Sequence, residues 1–184
     1  MLDRVLWRCR ELYNAGLEER KTAWEKCHVS VYFTRQSAEL PAIKEVRPEY
    51  RDINAQVLQD VSHRLDRAFV AFFRRIPAGE QPGYPHFQGR NRYNSFTYPQ
   101  VGGPGGATVE ENVLTLAKIG RIPFRRHRPL VGTPRTVTII READGWYGCF
   151  SCAEVPPQPL PRQARRQALM WDSRSSSSPP RATW

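Results

Sequence analysis

A single break in hydrophobic rhythm constrains this 184-residue chain more than any other feature. Up to Ile76, apolar residues recur at three- and four-residue spacings, the period of an amphipathic helix. After Pro77-Ala78-Gly79 the spacing shortens to strand-like runs separated by glycines. A helical front and a small sheet-forming back make an α+β chain.

The first helix is expected over about Leu2–Lys26, with Leu2, Val5, Leu6, Cys9, Leu12, Tyr13, Gly16, Leu17 and Trp24 on one stripe and charged residues such as Arg20 on the rest. A second, short helix is expected to start near Thr34 or Ser37 and end by Arg47, with Pro41 able to break it. The third is expected from a cap at Asp52 to about Ile76. Its stripe is Val57, Leu58, Val61, Leu65, Ala68, Phe69, Phe72, Phe73 and Ile76. Three such faces pack as a small bundle. Strands are expected at Val113–Leu116, Ile122–Arg126, Thr136–Arg141 and Trp146–Cys152, with Asp144-Gly145 as a hairpin turn and 101–107 as a glycine-rich loop. They point to a small, incomplete antiparallel barrel. From Pro156 the chain is rich in Pro, Arg, Gln and Ser, and 161–184 is expected to be disordered. The division is therefore 1–78 helical, 79–160 sheet-forming and 161–184 tail.

Charge is distributed unevenly. Residues 1–63 carry 10 Lys/Arg against 10 Asp/Glu, residues 64–128 carry 11 against 4, residues 129–161 carry 2 against 3, and the remainder 5 against 1. The surplus of the +10 chain thus lies mostly in its middle, which suits a polyanion partner. No run of eighteen apolar residues is present, and the N-terminus lacks the pattern of a secretory signal, so no membrane partner and a cytoplasmic location are expected.

Two stretches carry the binding chemistry. In the first, Tyr84, Phe87, Tyr93, Phe96 and Tyr98 alternate with Arg90 and Arg92 on a Pro/Gly backbone. Rings of this kind stack bases, and guanidinium groups hold phosphates. The second is Lys118, Arg121, Arg125, Arg126, His127 and Arg128. Cations crowded on one edge repel one another unless an anion shares the site. Arg64, Arg67, Arg74 and Arg75 on the third helix complete the candidate surface. His63 and His127 read as surface or phosphate contacts rather than catalytic bases. Cys149-Phe150-Ser151-Cys152 has metal-ligand spacing, but in a strand an odd spacing sends the two sulfurs to opposite faces, and no second such pair exists. All four cysteines read as small hydrophobes. No HExxH, P-loop, GxSxG or paired-carboxylate constellation occurs, so no catalytic and no metal residue is assigned.

Several blocks, in order, resemble the TnpB/OrfB transposon proteins: Leu12-Tyr13-Asn14-Ala15 with Glu19-Arg20, Gln56-Val57-Leu58-Gln59-Asp60, Arg64-Leu65-Asp66-Arg67-Ala68-Phe69, Phe72-Phe73-Arg74-Arg75, Gly83-Tyr84-Pro85-His86-Phe87, Ser95-Phe96-Thr97-Tyr98-Pro99-Gln100, Lys118-Ile119-Gly120-Arg121-Ile122 and His127-Arg128-Pro129-Leu130. The resemblance spans about Leu6–Pro161. It implies a helix-turn-helix-like helical region set in a small wedge-type barrel, followed in the family by a RuvC-like nuclease domain. It also implies DNA and guide-type RNA as partners. Cofactors are none in this chain, the divalent metal belonging to the nuclease domain.

Two departures bear on that expectation. The family has a strand before the first helix, whereas Met1 here opens almost directly on it. The first nuclease strand, a run such as Gly-Ile-Asp-Val-Gly-Leu, is replaced by Gln167-Ala168-Leu169-Met170-Trp171-Asp172 and a serine run. Read from the third base of each codon, Met170 and Trp171 fix a valine, and Trp171 with Asp172 a glycine, so the missing run is recoverable in another frame. The expectation is a nucleic-acid-binding front part of a transposon nuclease, catalytically incompetent alone, with a frameshifted tail. Two alternatives stand beside it: a sequence-specific helix-turn-helix regulator, and an inert pseudogene product.

Overall fold

The computed structural model describes residues 1–103 and 105–156; the expected tail at 161–184 and its reading frame lie outside them. The helical part contains α1 (Leu2–Cys27), α2 (Phe33–Val46), a 3-10 turn (Pro48–Asp52) and α3 (Ala55–Arg75). Six strands follow: β1 (Ser95–Tyr98), β2 (Ala107–Glu110), β3 (Val113–Leu116), β4 (Gly120–Pro123), β5 (Thr133–Arg141) and β6 (Trp146–Ala153). They form two antiparallel three-stranded sheets, in the orders β1-β5-β6 and β2-β3-β4. A bridge between Val101 and Ala107 joins the sheets at one seam. Among the described residues β4 and β6 are not paired with each other, so the barrel is open there, as expected for an incomplete one.

The alternating strand pattern builds the core. Phe96 and Tyr98 of β1, Leu114 and Leu116 of β3, and Val137 and Ile139 of β5 point inward, where they meet Val5, Leu6, Cys9 and Leu12 of α1 and Val57, Leu58, Val61 and Leu65 of α3. Register pairs Phe96 with Ile139 and Tyr98 with Val137, and the Tyr98 hydroxyl donates to the Ala117 carbonyl at 2.7 Å. α3 is the hinge of the packing, since it lies against α1, α2 and β1. At Gly16 the helices approach so closely that a Cβ would sit 3.0 Å from the Leu65 methyl, which explains a glycine on the buried stripe of α1.

Several sequence expectations are corrected here. α2 is continuous through Pro41. The α3 cap is Asn54, whose Oδ1 accepts from the Gln56 N–H at 2.8 Å, while Asp52 ends the 3-10 turn and pairs with Arg4 at 3.3 Å. Pro48 opens that extra turn and moves the helix start two residues on. Trp24 is exposed at 56%, because the buried face of α1 passes to Arg20 instead. Arg20 is buried, donating to Gln36 at 2.9 Å and Asp66 at 3.1 Å, and its guanidinium lies 5.1 Å from the Phe69 ring centroid. Gln36 in turn donates to the Gly16 carbonyl and to Glu19, so one polar network ties the three helices. The outer turns of α3 run past the core, leaving Val70, Phe73 and Ile76 exposed. β1 and β2 arise where no strand was expected, and β4 ends at Pro123 rather than Arg126.

Cys149 and Cys152 are three residues apart on β6, hence on opposite faces. Cys27 and Cys149 are exposed and Cys152 is half-buried, whereas Cys9 is fully buried. Burial pushes the Cys9 thiol up to about 12. At pH 8 that leaves roughly one part in 10⁴ as the reactive thiolate. The expected outcome of native-state iodoacetamide labelling at pH 8 is rapid modification of Cys27 and Cys149, with Cys9 protected until denaturant is added. Labelling of Cys9 at the rate of Cys27 would contradict this packing.

Candidate nucleic-acid interface

The residues singled out for binding separate into a core group and three exposed zones. Tyr93, Phe96 and Tyr98 belong to the core, with 7%, 1% and 1% of their surface exposed, so they cannot act as stacking platforms. The physical reason is β1 itself: alternation turns Phe96 and Tyr98 inward, and Tyr93 packs on Tyr13 at a centroid distance of 5.8 Å. Burial also pushes the Tyr93 and Tyr98 hydroxyls well above the ordinary tyrosine range. Arg64 is likewise structural. It pairs with Asp60 at 2.8 Å and donates to the Ser95 carbonyl at 2.8 Å and the Thr97 hydroxyl at 2.6 Å, tying α3 to β1. His63 stacks on Phe33 at 3.8 Å.

The first exposed zone is the outer end of α3. Phe69, Phe72, Phe73 and Tyr84 form a ring cluster with centroid distances between 5.2 and 6.3 Å. Arg67, Arg74 and Arg75 lie on the same outer turns of α3. Arg67 reaches Asp60 at 3.4 Å, and Arg75 reaches Glu80 at 3.4 Å. Phe87 is 47% exposed on the following loop.

The second zone is the connection from β4 to β5. Pro123 has no N–H to extend the ladder. Phe124 makes one further bond, to the Asn112 carbonyl at 2.9 Å, and the chain then leaves the sheet. Arg125, Arg126, His127 and Arg128 are therefore on an irregular loop rather than at a strand end, and all four are exposed. Among the described residues none of them is ion-paired. They rim a groove of about 690 Å³ that opens where β4 and β6 fail to meet. Its floor is apolar and aromatic: Leu114, Ile122, Phe124, Ile139, Trp146 and Phe150, with Phe124 and Phe150 at 6.0 Å. Trp146 and Tyr147 were not picked out from sequence; an aromatic pair opening a strand after Asp-Gly is an ordinary hairpin feature, and only the sheet gap turns it toward the basic loop. Arg121 of β4 precedes this loop and pairs with Glu110 at 3.5 Å. Lys118 lies at the opposite end of β4, in the β3–β4 turn, close enough to Lys44 of α2 that burial and its charge together lower the Lys44 pKa.

The third zone gathers Arg90 with residues that sequence reading passed over. Arg90 sits beside Trp7 and Arg10 of α1 and Arg141 of β5 around a groove of about 330 Å³. Arg92 is exposed in the adjoining turn. The cations expected to form one continuous surface with the aromatic rings thus occupy distinct zones.

No family model matches the chain. Among curated proteins, it is 27% identical over 142 residues to the "Putative RNA-guided DNA endonuclease InsQ" of Escherichia coli (strain K12), covering 76% of this chain and 33% of that protein. A Streptomyces pristinaespiralis protein with the same description, without the InsQ name, is 28% identical over 166 residues, covering 86% of this chain and 39% of its own length. The chain therefore spans about a third to two-fifths of the relatives it matches. No helix among the described residues is long and apolar enough to cross a membrane. The ordered motif blocks, the open sheet pair behind a three-helix front and these two similarities point the same way: over most of its length the chain is similar to proteins described as putative RNA-guided DNA endonucleases.

Proposed function

We propose that the chain supplies the nucleic-acid-holding front part of a transposon-encoded, RNA-guided DNA nuclease, contacting RNA and DNA through exposed cations. The observation that carries this reading is the loop Arg125–Arg128, four cationic or titratable side chains without an acidic partner among the described residues. Such crowding is costly in water and becomes favourable when phosphates share it. The relatives' names support the choice of RNA and DNA over other polyanions. The described residues hold no group of three or more His, Cys, Asp or Glu that could share a metal ion. On this reading, divalent metal and RuvC-like chemistry belong to the nuclease part of such proteins.

The test is affinity purification of the full chain from its expression host carrying the native locus, followed by sequencing of bound RNA. The reading expects a few discrete RNAs enriched far above their share of the total pool. Recovery of no RNA, or of RNA in proportion to abundance, contradicts it.

A further inference from the structure

The groove of about 330 Å³ beside Trp7 has features that the basic loop lacks. Asp3, Trp7 and Arg10 follow one another at spacings of four and three on α1, so they share one face of the helix. Arg90 approaches from the turn before β1 and Arg141 from the end of β5. Three arginines therefore meet one carboxylate. Asp3 takes Arg141 at 3.1 Å, while Arg10 and Arg90 are not ion-paired among the described residues. Arg10 is also half-buried, which makes an absent counter-charge more costly than on an open surface.

Trp7 is 46% exposed, although Leu6 and Cys9 on the same turn of α1 are buried. The Arg8 guanidinium lies over its ring at 4.2 Å, and Arg8 is itself neutralised by Glu11 at 2.7 Å and Glu49 at 3.3 Å. The indole is thus held by a cation on one side and remains accessible. The loop carrying Arg90 is fixed to α1 as well. Asn14 donates to the Gln88 carbonyl at 3.1 Å and accepts from the Gln88 N–H at 2.8 Å. A flat ring and two unpaired guanidinium groups are thereby preorganised around one concavity.

The geometry points to a nucleotide subsite: an unpaired base of a single strand stacks on Trp7 while its phosphates lie between Arg10 and Arg90, with Arg141 screened by Asp3. Stacking accepts any base because every base has a π face, and the arginines read backbone rather than sequence. A paired duplex presents no free base face to the indole. This subsite rests on the nucleic-acid reading above but uses residues outside the Arg125–Arg128 loop.

The test uses the full chain, a fluorescein-labelled 12-nucleotide oligouridylate, an oligothymidylate of equal length, and a 12-base-pair RNA duplex. Trp7→Ala is expected to weaken oligouridylate or oligothymidylate binding about 5- to 10-fold, with Trp7→Phe recovering most of it and the duplex unaffected. Tryptophan dependence with one strand type identifies the strand that the pocket takes; dependence with neither overturns the subsite. Arg10→Gln with Arg90→Gln should lower the slope of log affinity against log salt by about 1.4 on single strands. A 4-thiouridine placed mid-strand should crosslink to the tryptic peptide Val5–Arg8, which contains Trp7. Crosslinks confined to the Arg121–Arg128 region, with Trp7→Ala binding like the parent, overturn this subsite and leave the broader reading standing. Failure of the parent chain to bind any probe overturns both.

Discussion

Replacing Arg125, Arg126 and Arg128 together with glutamine should weaken binding of a structured RNA about 100-fold at 0.1 M salt while leaving the unfolding midpoint nearly unchanged. Each phosphate neutralised by a cation releases about 0.7 to 0.9 of a counterion, so three such contacts account for roughly two decades at that salt. Stability should hold because the three side chains are exposed and none is ion-paired among the described residues. Surface changes of this kind cost within about 0.5 kcal/mol. If anything, relief of mutual repulsion would stabilise the loop. Fluorescence anisotropy and urea unfolding on the same samples check both halves. An affinity within threefold of the parent would remove the loop from the interface.

The second large effect concerns a ring that sequence reading placed on the surface. Phe96→Ala is expected to cost about 3 to 5 kcal/mol. Phe96 is 1% exposed, faces Ile139 across the ladder and lies 6.3 Å from the Tyr98 ring, at the junction of sheet and α3. For a domain of this size that loss corresponds to a melting temperature lower by about 10 to 20 °C. Phe87→Ala, at a ring 47% exposed, should move it by only a degree or two. Calorimetry on the pair distinguishes a core aromatic from a surface one. Equal, small effects would return Phe96 to the candidate binding surface.

These two outcomes mark where the sequence was legible. The helical front could be read because its stripe is long and regular: Val5, Cys9, Leu12 and Leu17 on α1, and Val57, Val61 and Leu65 on α3, all lie where period alone puts them. The β5–β6 hairpin was visible through Asp144-Gly145 and the β-branched run before it. β1 was missed because four residues, Ser95–Tyr98, are too few to show alternation when aromatics and arginines crowd the segment before it. Which arginines are free is not a property of sequence at all. Arg64 and Arg67 stand three apart on one helix, yet Arg64 is consumed by Asp60, Ser95 and Thr97, while Arg67 is 70% exposed with only a longer contact to Asp60. The groove holding Trp7, Arg10, Arg90 and Arg141 joins residues up to 134 positions apart, and no local pattern announces it.

Exposed, carboxylate-free cations on this chain are proposed to hold a sugar–phosphate backbone. The affinity of the parent chain for a structured RNA, followed from 50 to 400 mM salt, measures this directly. A straight line of log affinity against log salt is expected, with a slope of about −2 or steeper, corresponding to three or more phosphates engaged. A slope near zero, or no measurable binding at 50 mM, would contradict it.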